Sequence, residues 1–94
     1  MDKDKLVKIL KEEEYPEHLV ESTLQKLNNL QPKVLSAFLS WIDNGITPTI
    51  SVEGYSYSKL VSEYEMKPIG AFLTLDWLCR DPQKASSALQ RGLR

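Results

Sequence analysis

Apolar residues recur at the spacing of one helix face in six separate runs along the chain. The clearest run forms a wide apolar stripe: Val34, Leu35, Phe38, Leu39, Trp41 and Ile42. The pattern predicts helices over residues 2–13, 16–28, 32–44, 56–65, 67–80 and 82–91. The fifth is apolar on nearly every side, so we expect it to be the central buried helix. The predicted fold class is all-α, a compact bundle of about six short helices forming a single domain over residues 1–94.

Prolines and glycines mark the ends of these predicted helices. Four prolines each stand just before an apolar run: Pro16, Pro32, Pro68 and Pro82. A proline in the first turn of a helix loses no hydrogen bond, so each one indicates a helix start. Asp81 is a typical N-cap for the sixth helix, and Gly45 and Gly92 suit left-handed C-caps.

A loop from Gly45 to Tyr55 follows the third helix. Residues 47–54 within it are the candidate linker, which divides the chain into residues 1–45 and 46–94. Residues 49–52 within it are β-branched and alternating, which indicates a short extended piece. The polar-aromatic cluster over residues 55–58 leads into the fourth helix, where Ser56 or Ser58 is the expected cap.

In the first half, a Tyr15-Pro16 loop stands between two predicted helices, Val20 and Leu24 follow it, and an apolar stripe follows Leu30-Gln31-Pro32. In these residues the first half resembles a ubiquitin-associated (UBA) three-helix bundle. The resemblance implies a three-helix fold for residues 1–45. UBA domains carry a Met-Gly-Phe or Met-Gly-Tyr loop that contacts ubiquitin. The matching residues here are Glu13-Glu14-Tyr15, without the Met and Gly, so the resemblance implies the fold and not ubiquitin binding.

The second half has the spacing of two short helices joined by a tight turn, carried by Tyr57, Leu60, Val61 and Tyr64, then Lys67-Pro68-Ile69 and Phe72-Leu73. In this spacing it resembles a helix-turn-helix. The resemblance implies a second helix that enters the DNA major groove. That helix has few side chains able to contact base edges, apart from Thr74 and Asp76. Residues 66–78 also resemble small uncharacterised bacterial proteins, which implies a bacterial cytosolic source.

Composition narrows the classes of function. The chain has 94 residues, 41% apolar residues and a net charge of −1, which is typical of a globular domain. No run approaches the ~20 apolar residues of a membrane span, and no secretory signal is present, so we expect a cytoplasmic protein. With one cysteine and one histidine, neither an internal disulfide nor a structural zinc site is expected. Cys79 is interpreted as a small buried hydrophobe and His18 as a surface histidine.

No catalytic or cofactor-binding motif is present, so we expect neither enzyme activity nor a cofactor. The aromatic content favours a protein–protein interaction or adaptor module whose partner is another protein or a second copy of the chain. The predicted partner-binding residues are Tyr15 with Trp41, or Tyr55 with Tyr57. Trp77 allows the same two interpretations as Trp41, a core residue or an aromatic anchor.

The alternative is a small DNA-binding regulator that uses the second half of the chain. It predicts a contiguous positive face containing Lys59, Lys67, and Lys84 or Arg91, with DNA binding that weakens steeply as the salt concentration rises.

Three further expectations concern charge. Residues 12–14 form a solvated acidic run, and Asp76 lies on a solvated helix edge or pairs with a nearby lysine or arginine. The start of the fifth helix can bind an anion.

Overall fold

The structure, a computed structural model that describes residues 2–92, contains six α-helices and one small antiparallel hairpin. The helices are α1 (Lys3–Glu12), α2 (Glu17–Asn28), α3 (Pro32–Asn44), α4 (Tyr57–Ser62), α5 (Pro68–Arg80) and α6 (Pro82–Gln90). The strands β1 (Ser51–Val52) and β2 (Tyr55–Ser56) lie between α3 and α4. The predicted all-α fold is confirmed. None of the helices in residues 2–92 combines the length and the apolar character that crossing a membrane requires.

The central element is α5. It packs against α3, α4, α6 and β1, and of its side chains only Arg80 is exposed. All six helices and β1 contribute to one hydrophobic core, so the two halves of the chain share their buried surface. Cys79 is partly buried against this core, and His18 is exposed.

Aromatic rings gather around Phe72 in the middle of the core. The ring centroid of Phe72 lies 5.0 Å from Phe38, 5.1 Å from Tyr57 and 5.4 Å from Trp41. Phe38 meets Phe72 edge to face at 82°, a favoured arrangement for aromatic pairs. This cluster joins α3, α4 and α5 through one buried side chain.

The helix ends follow the sequence signals closely. Helices α3, α5 and α6 begin at their predicted prolines, and α2 begins directly after Pro16. The Asp81 carboxylate accepts a hydrogen bond from a backbone N–H in the first turn of α6. Ser56 does the same for α4, accepting from the Lys59 N–H at 3.0 Å. Gly45 adopts the predicted left-handed conformation after α3, with φ of 66°.

The sequence predicted one strand of the hairpin but not the strand that pairs with it. The predicted extended piece becomes β1, and β2 pairs with it in the register Ser51 to Ser56 and Val52 to Tyr55. Glu53 and Gly54 form the two-residue turn with φ of 52° and 81°, as a type I′ turn requires. The hairpin leads into α4, which packs against β2 and α5.

Three glutamates adopt the left-handed conformation that favours glycine: Glu14, Glu53 and Glu65. Glu14 ends α1 in a Schellman motif. Its own N–H donates to the Lys11 carbonyl, and the N–H of the next residue donates to the Leu10 carbonyl, both at 3.0 Å. For a residue with a Cβ this conformation costs about 1–2 kcal/mol, so α1 ends at a strained position.

Replacing Glu14 by glycine should therefore stabilise the protein. We expect the free energy of unfolding to rise by about 0.5–1 kcal/mol, because relief of the strain exceeds the added entropy of the unfolded chain. Urea denaturation would measure the change. Glu12→Gly is the matched control, since Glu12 is helical and glycine there should destabilise by a similar amount. Equal destabilisation by both glycines would contradict the assigned strain.

Candidate functional site

An open groove runs between α2 and α5. Its first section has a volume of about 750 Å³. It lies where Ser22, Gln25 and Lys26 of α2 and the C-cap residue Asn29 face Leu73 and Trp77 of α5. Its second section, of about 500 Å³, continues to residues 13–16 and 65–67. Thr74 lines both sections, so the two sections lie on either side of this residue. We call the two sections together the α2–α5 groove.

The floor of the α2–α5 groove is mainly apolar and its edges are polar. Tyr15 and Met66 are half-buried in the second section, and Leu73 and Trp77 are half-buried in the first. Leu19 stands at the wall with 42% of its surface exposed. Apolar surface with a polar edge is typical of sites where another molecule docks.

One end of the groove is fixed by Glu13. The N-cap residue of α5, Lys67, offers no side-chain hydrogen bond. Instead the Ile69 N–H donates to the two carboxylate oxygens of Glu13, at 3.2 and 3.4 Å. The predicted anion site at the start of α5 is therefore filled by a carboxylate of the same chain. The expectation of a fully solvated acidic run is wrong for Glu13, which is half-buried.

The environment of Glu13 changes its titration. Burial raises the pKa of this carboxyl above its ordinary value. The Ile69 N–H and the nearby Lys67 ammonium favour the charged form but only partly offset this effect, and Glu12 adds to the rise. Because its folded pKa is raised, Glu13 contributes stability that is complete below the ordinary glutamate pKa, about 4.3. That contribution is lost as the pH rises through the folded pKa.

Two substitutions of Glu13 should separate its hydrogen bond from its charge. Glu13→Ala removes the acceptor for the Ile69 N–H and should destabilise by about 1 kcal/mol at neutral pH. Glu13→Gln keeps an acceptor oxygen without the charge. Its stability relative to the wild type should therefore increase as the pH rises from 4 to 7. Urea titrations at several pH values would test both expectations. A Glu13→Gln variant whose stability relative to the wild type falls with rising pH would contradict the raised pKa of Glu13.

The other end of the groove is fixed by Asp76, whose side chain is only 13% exposed. One carboxylate oxygen accepts the Gln31 N–H at 2.8 Å. The other accepts from the Arg80 Nε at 2.8 Å, and the same guanidinium donates to the Asn29 carbonyl. The structure thus shows the ion pair that was one of the two expectations for Asp76. These contacts hold the end of α2 against the end of α5.

The first predicted pair of partner-binding residues is divided between two places. Tyr15 lines the second section of the groove, and burial, with a smaller effect of Glu13, raises the pKa of its phenol. Trp41 is partly exposed on α3, where its ring packs against Phe38 and Phe72. Trp41 is not among the residues that line the groove. Tyr15 and Trp41 both retain exposed surface, but they do not line one site.

The second predicted pair is also divided. Tyr55 is half-buried on β2, with its ring centroid 6.1 Å from that of Tyr64 and 5.4 Å from the Lys59 Nζ. Tyr57 is only 7% exposed, because the hairpin directs its ring onto Phe72. The structure therefore places Tyr57 in the core, and the expectation that it offers a contact surface is corrected.

The sequence pattern missed several groove residues: Leu19, Met66, Gly70 and Leu73. Leu19 carries a usable signal, since it lies outside the stripe of Val20, Leu24 and Leu27 that faces the other helices. Trp77, interpreted as a core residue or an anchor, lies half-buried in the groove floor. An apolar residue beside its helix's core stripe is the feature that indicates this site.

Comparison of the chain with protein-family models, with curated proteins and with solved structures gives no match. Within residues 2–92, no group of three or more His, Cys, Asp or Glu side chains is placed to hold a metal ion. The geometry of the α2–α5 groove is thus the observation from which function is argued.

Proposed function

We propose that this protein is a non-enzymatic protein–protein interaction module and that the α2–α5 groove binds its partner. The observation that carries the proposal is the mainly apolar floor of the two adjoining sections, with the exposed Leu19 at the wall of the second. Protein interfaces are apolar and rich in aromatic residues at the centre and polar at the edge. Tyr15 and Trp77 in the floor, with Gln25 and Asn29 at the edge, fit this arrangement.

The dimensions of the groove support a macromolecular partner. Leu19 of α2 and the C-cap residue Asn29 are ten residues apart, which corresponds to about 15 Å along the helix axis. The groove is open along this length. Sites for small molecules are usually concave enough to bury most of the ligand, whereas an open groove of this length suits a segment of protein chain.

The UBA-like resemblance enters this proposal only through the loop over residues 13–15, which lines the second section of the groove. In the family that loop contacts the partner, and here it carries Tyr15. Because the Met and Gly of the family loop are absent, the proposal names no ubiquitin partner. A cytoplasmic location and a bacterial source are parts of the same proposal.

The DNA-binding alternative has less support from the geometry. It needs α5 to lie in a major groove, yet α5 packs against three other helices and exposes only Arg80. Of the cations predicted for a positive face, Lys67 lies 3.6 Å from the Glu14 carboxylate. Lys59 lies over the Tyr55 ring.

The two exposed large hydrophobic residues allow a matched test. Leu19 lines the groove, whereas Ile46, 55% exposed, lies in the segment after α3. Wild-type protein, Leu19→Asp and Ile46→Asp would each be used for affinity capture from an extract of the source cell. The captured proteins would be identified by mass spectrometry, with and without nuclease treatment.

We expect the wild type and Ile46→Asp to retain the same partner and Leu19→Asp to lose it. Circular dichroism and urea denaturation would confirm that both variants fold. Retention of the partner by Leu19→Asp would remove the groove from the proposal. Capture of nucleic acid, with any protein lost after nuclease treatment, would overturn the proposal in favour of the DNA-binding alternative.

A further inference from the structure

We propose that filling the second section of the α2–α5 groove is coupled to proton uptake by Glu13, so that a partner binds there more tightly as the pH falls. This inference rests on the proposed function, because it describes how binding in the groove is regulated. It is carried by three observations: the few hydrogen-bond donors that Glu13 has, its position in the groove, and the charges that surround it.

Glu13 is a half-buried carboxylate with one hydrogen-bond donor from the described part of the chain. Its two oxygens share the Ile69 N–H, at 3.2 and 3.4 Å. An ionised carboxylate has about four acceptor sites on its two oxygens. Solvent therefore supplies most of the hydrogen bonds of the charged form.

The groove is the open space beside this carboxylate. Glu13 lines the second section together with Tyr15 and Leu19, which the proposed function assigns to the partner-binding floor and wall. A partner seated on these two side chains displaces solvent from Glu13. Loss of solvent disfavours the charged form of a carboxyl group and favours the protonated form.

The nearby cation does not replace the lost solvent. Among the residues that the structure describes, Lys67 is the only cation that lines the second section, and its ammonium pairs with the Glu14 carboxylate at 3.6 Å. Lys67 favours the charged form of Glu13, but burial has the larger effect. In the protein alone, burial already raises the pKa of Glu13, and a partner that completes the burial raises it further.

The helix ends near this section do not reverse the effect. The N-terminus of α5 acts on Glu13 through the Ile69 N–H, and burial outweighs that hydrogen bond. The first turn of α2 contains its own acid, Glu17, which complements the positive end of that helix dipole.

The other titratable groups around Glu13 are acids or neutral phenols. The Glu12 charge disfavours ionisation of Glu13, and Glu65 is a further carboxylate that lines the section. The phenols of Tyr15 and Tyr57 also interact with Glu13, and the pKa of each is raised above its ordinary value. Both phenols are therefore neutral wherever a carboxyl group titrates.

The coupling between protonation and binding is reciprocal. If filling the section makes Glu13 bind a proton more tightly, protonation of Glu13 must make filling more favourable by the same factor. Affinity therefore rises as the pH falls through the pKa of Glu13. Glu13→Gln imitates the protonated form, because it keeps an acceptor for the Ile69 N–H and has no charge.

A covalent probe tests this coupling without a partner. Leu19→Cys, in a Cys79→Ser background, would be alkylated with N-phenylmaleimide, which attaches a neutral aromatic ring at the wall of the second section. The matched control is Ile46→Cys in the same background with the same reagent, at the other exposed large hydrophobic residue. NMR would follow the Glu13 carboxyl carbon through a pH titration, with its signal assigned by its absence in Glu13→Gln. We expect a higher titration midpoint in the Leu19→Cys adduct than in the Ile46→Cys adduct.

The protein that wild type captures and Leu19→Asp loses provides the second test. Isothermal titration calorimetry would measure its affinity for the wild type, Glu13→Gln and Glu53→Gln. We expect Glu13→Gln to bind about five-fold more tightly than the wild type at about pH 7.5, and this advantage should largely disappear at about pH 4.5. Glu53→Gln is the matched control and should match the wild type throughout, because Glu53 is an exposed glutamate of the hairpin and lines neither section.

Three results would overturn the inference. Equal midpoints in the two adducts would show that filling the section does not act on Glu13. A ratio of affinities between Glu13→Gln and the wild type that stays constant with pH would show that binding takes up no proton there. Weaker binding by Glu13→Gln at neutral pH would show that the partner itself neutralises the carboxylate. Retention of the partner by Leu19→Asp would instead refute the proposed function, and the adduct titration would still decide whether filling the section protonates Glu13.

Discussion

Replacing Phe72 by alanine is expected to lower the free energy of unfolding by about 3–5 kcal/mol. The side chain of Phe72 is fully buried, and its ring contacts those of Phe38, Trp41 and Tyr57. The substitution removes this apolar surface and leaves a cavity between α3, α4 and α5. A domain of this size has a total stability of about 5–15 kcal/mol, so the loss would be a large share of it.

Urea denaturation followed by the fluorescence of Trp41 and Trp77 would measure this change. The control is Leu73→Ala, one residue further along α5, where the side chain is half-buried in the open groove. There the loss should be well below that of Phe72→Ala, because a site open to solvent leaves no closed cavity. Similar losses for the two variants would mean that Phe72 is not the centre of the core.

Replacing Asp76 by alanine is expected to destabilise the protein by about 2–3 kcal/mol. The carboxylate is mostly shielded from solvent and accepts both the Gln31 N–H and the Arg80 Nε. Without it, a partly buried backbone donor loses its partner, and Arg80 loses the anion that holds it against the Asn29 carbonyl.

Two further variants assign this loss to individual contacts. Asp76→Asn keeps an oxygen that can accept the Gln31 N–H but removes the ion pair, and should cost about 1 kcal/mol. Arg80→Ala removes a half-exposed cation and should also cost about 1 kcal/mol or less. Thermal and urea unfolding of the three variants would give the comparison. If Asp76→Ala cost no more than Arg80→Ala, the hydrogen bond from Gln31 would contribute nothing measurable.

The helix ends were predictable because their signals are local. Proline in a first turn and Asp81 as a cap depend on a few neighbouring residues. The early end of α4 carried no such signal. Glu65, three residues beyond the end of α4, adopts the left-handed conformation, which glutamate seldom adopts. The hairpin was half missed for the same reason, since its turn uses Glu53 where asparagine, aspartate or glycine is usual.

The groove depends on how α2 and α5 lie in space, and the sequence pattern contains little of that information. Tyr15 was predicted as a contact residue from its place in a loop between two helices, and it lines the groove. In the sequence, Leu19 and Leu73 are ordinary apolar residues of predicted helices. Only the arrangement of the helices places them in the groove between α2 and α5. Tyr57 was misplaced because its neighbours are polar, while the hairpin that buries it was not fully predicted.

The two contacts that fix the ends of the groove also bear on how the molecule opens. Glu13 caps a residue 56 positions away, and Asp76 accepts from one 45 positions away, so both contacts join the first half of the chain to α5. A partial unfolding of α1 and α2 would leave the first turn of α5 without its cap and Asp76 without Gln31. The amide protons of α5 should therefore exchange with solvent only when α1 and α2 are lost with it, as one cooperative unit.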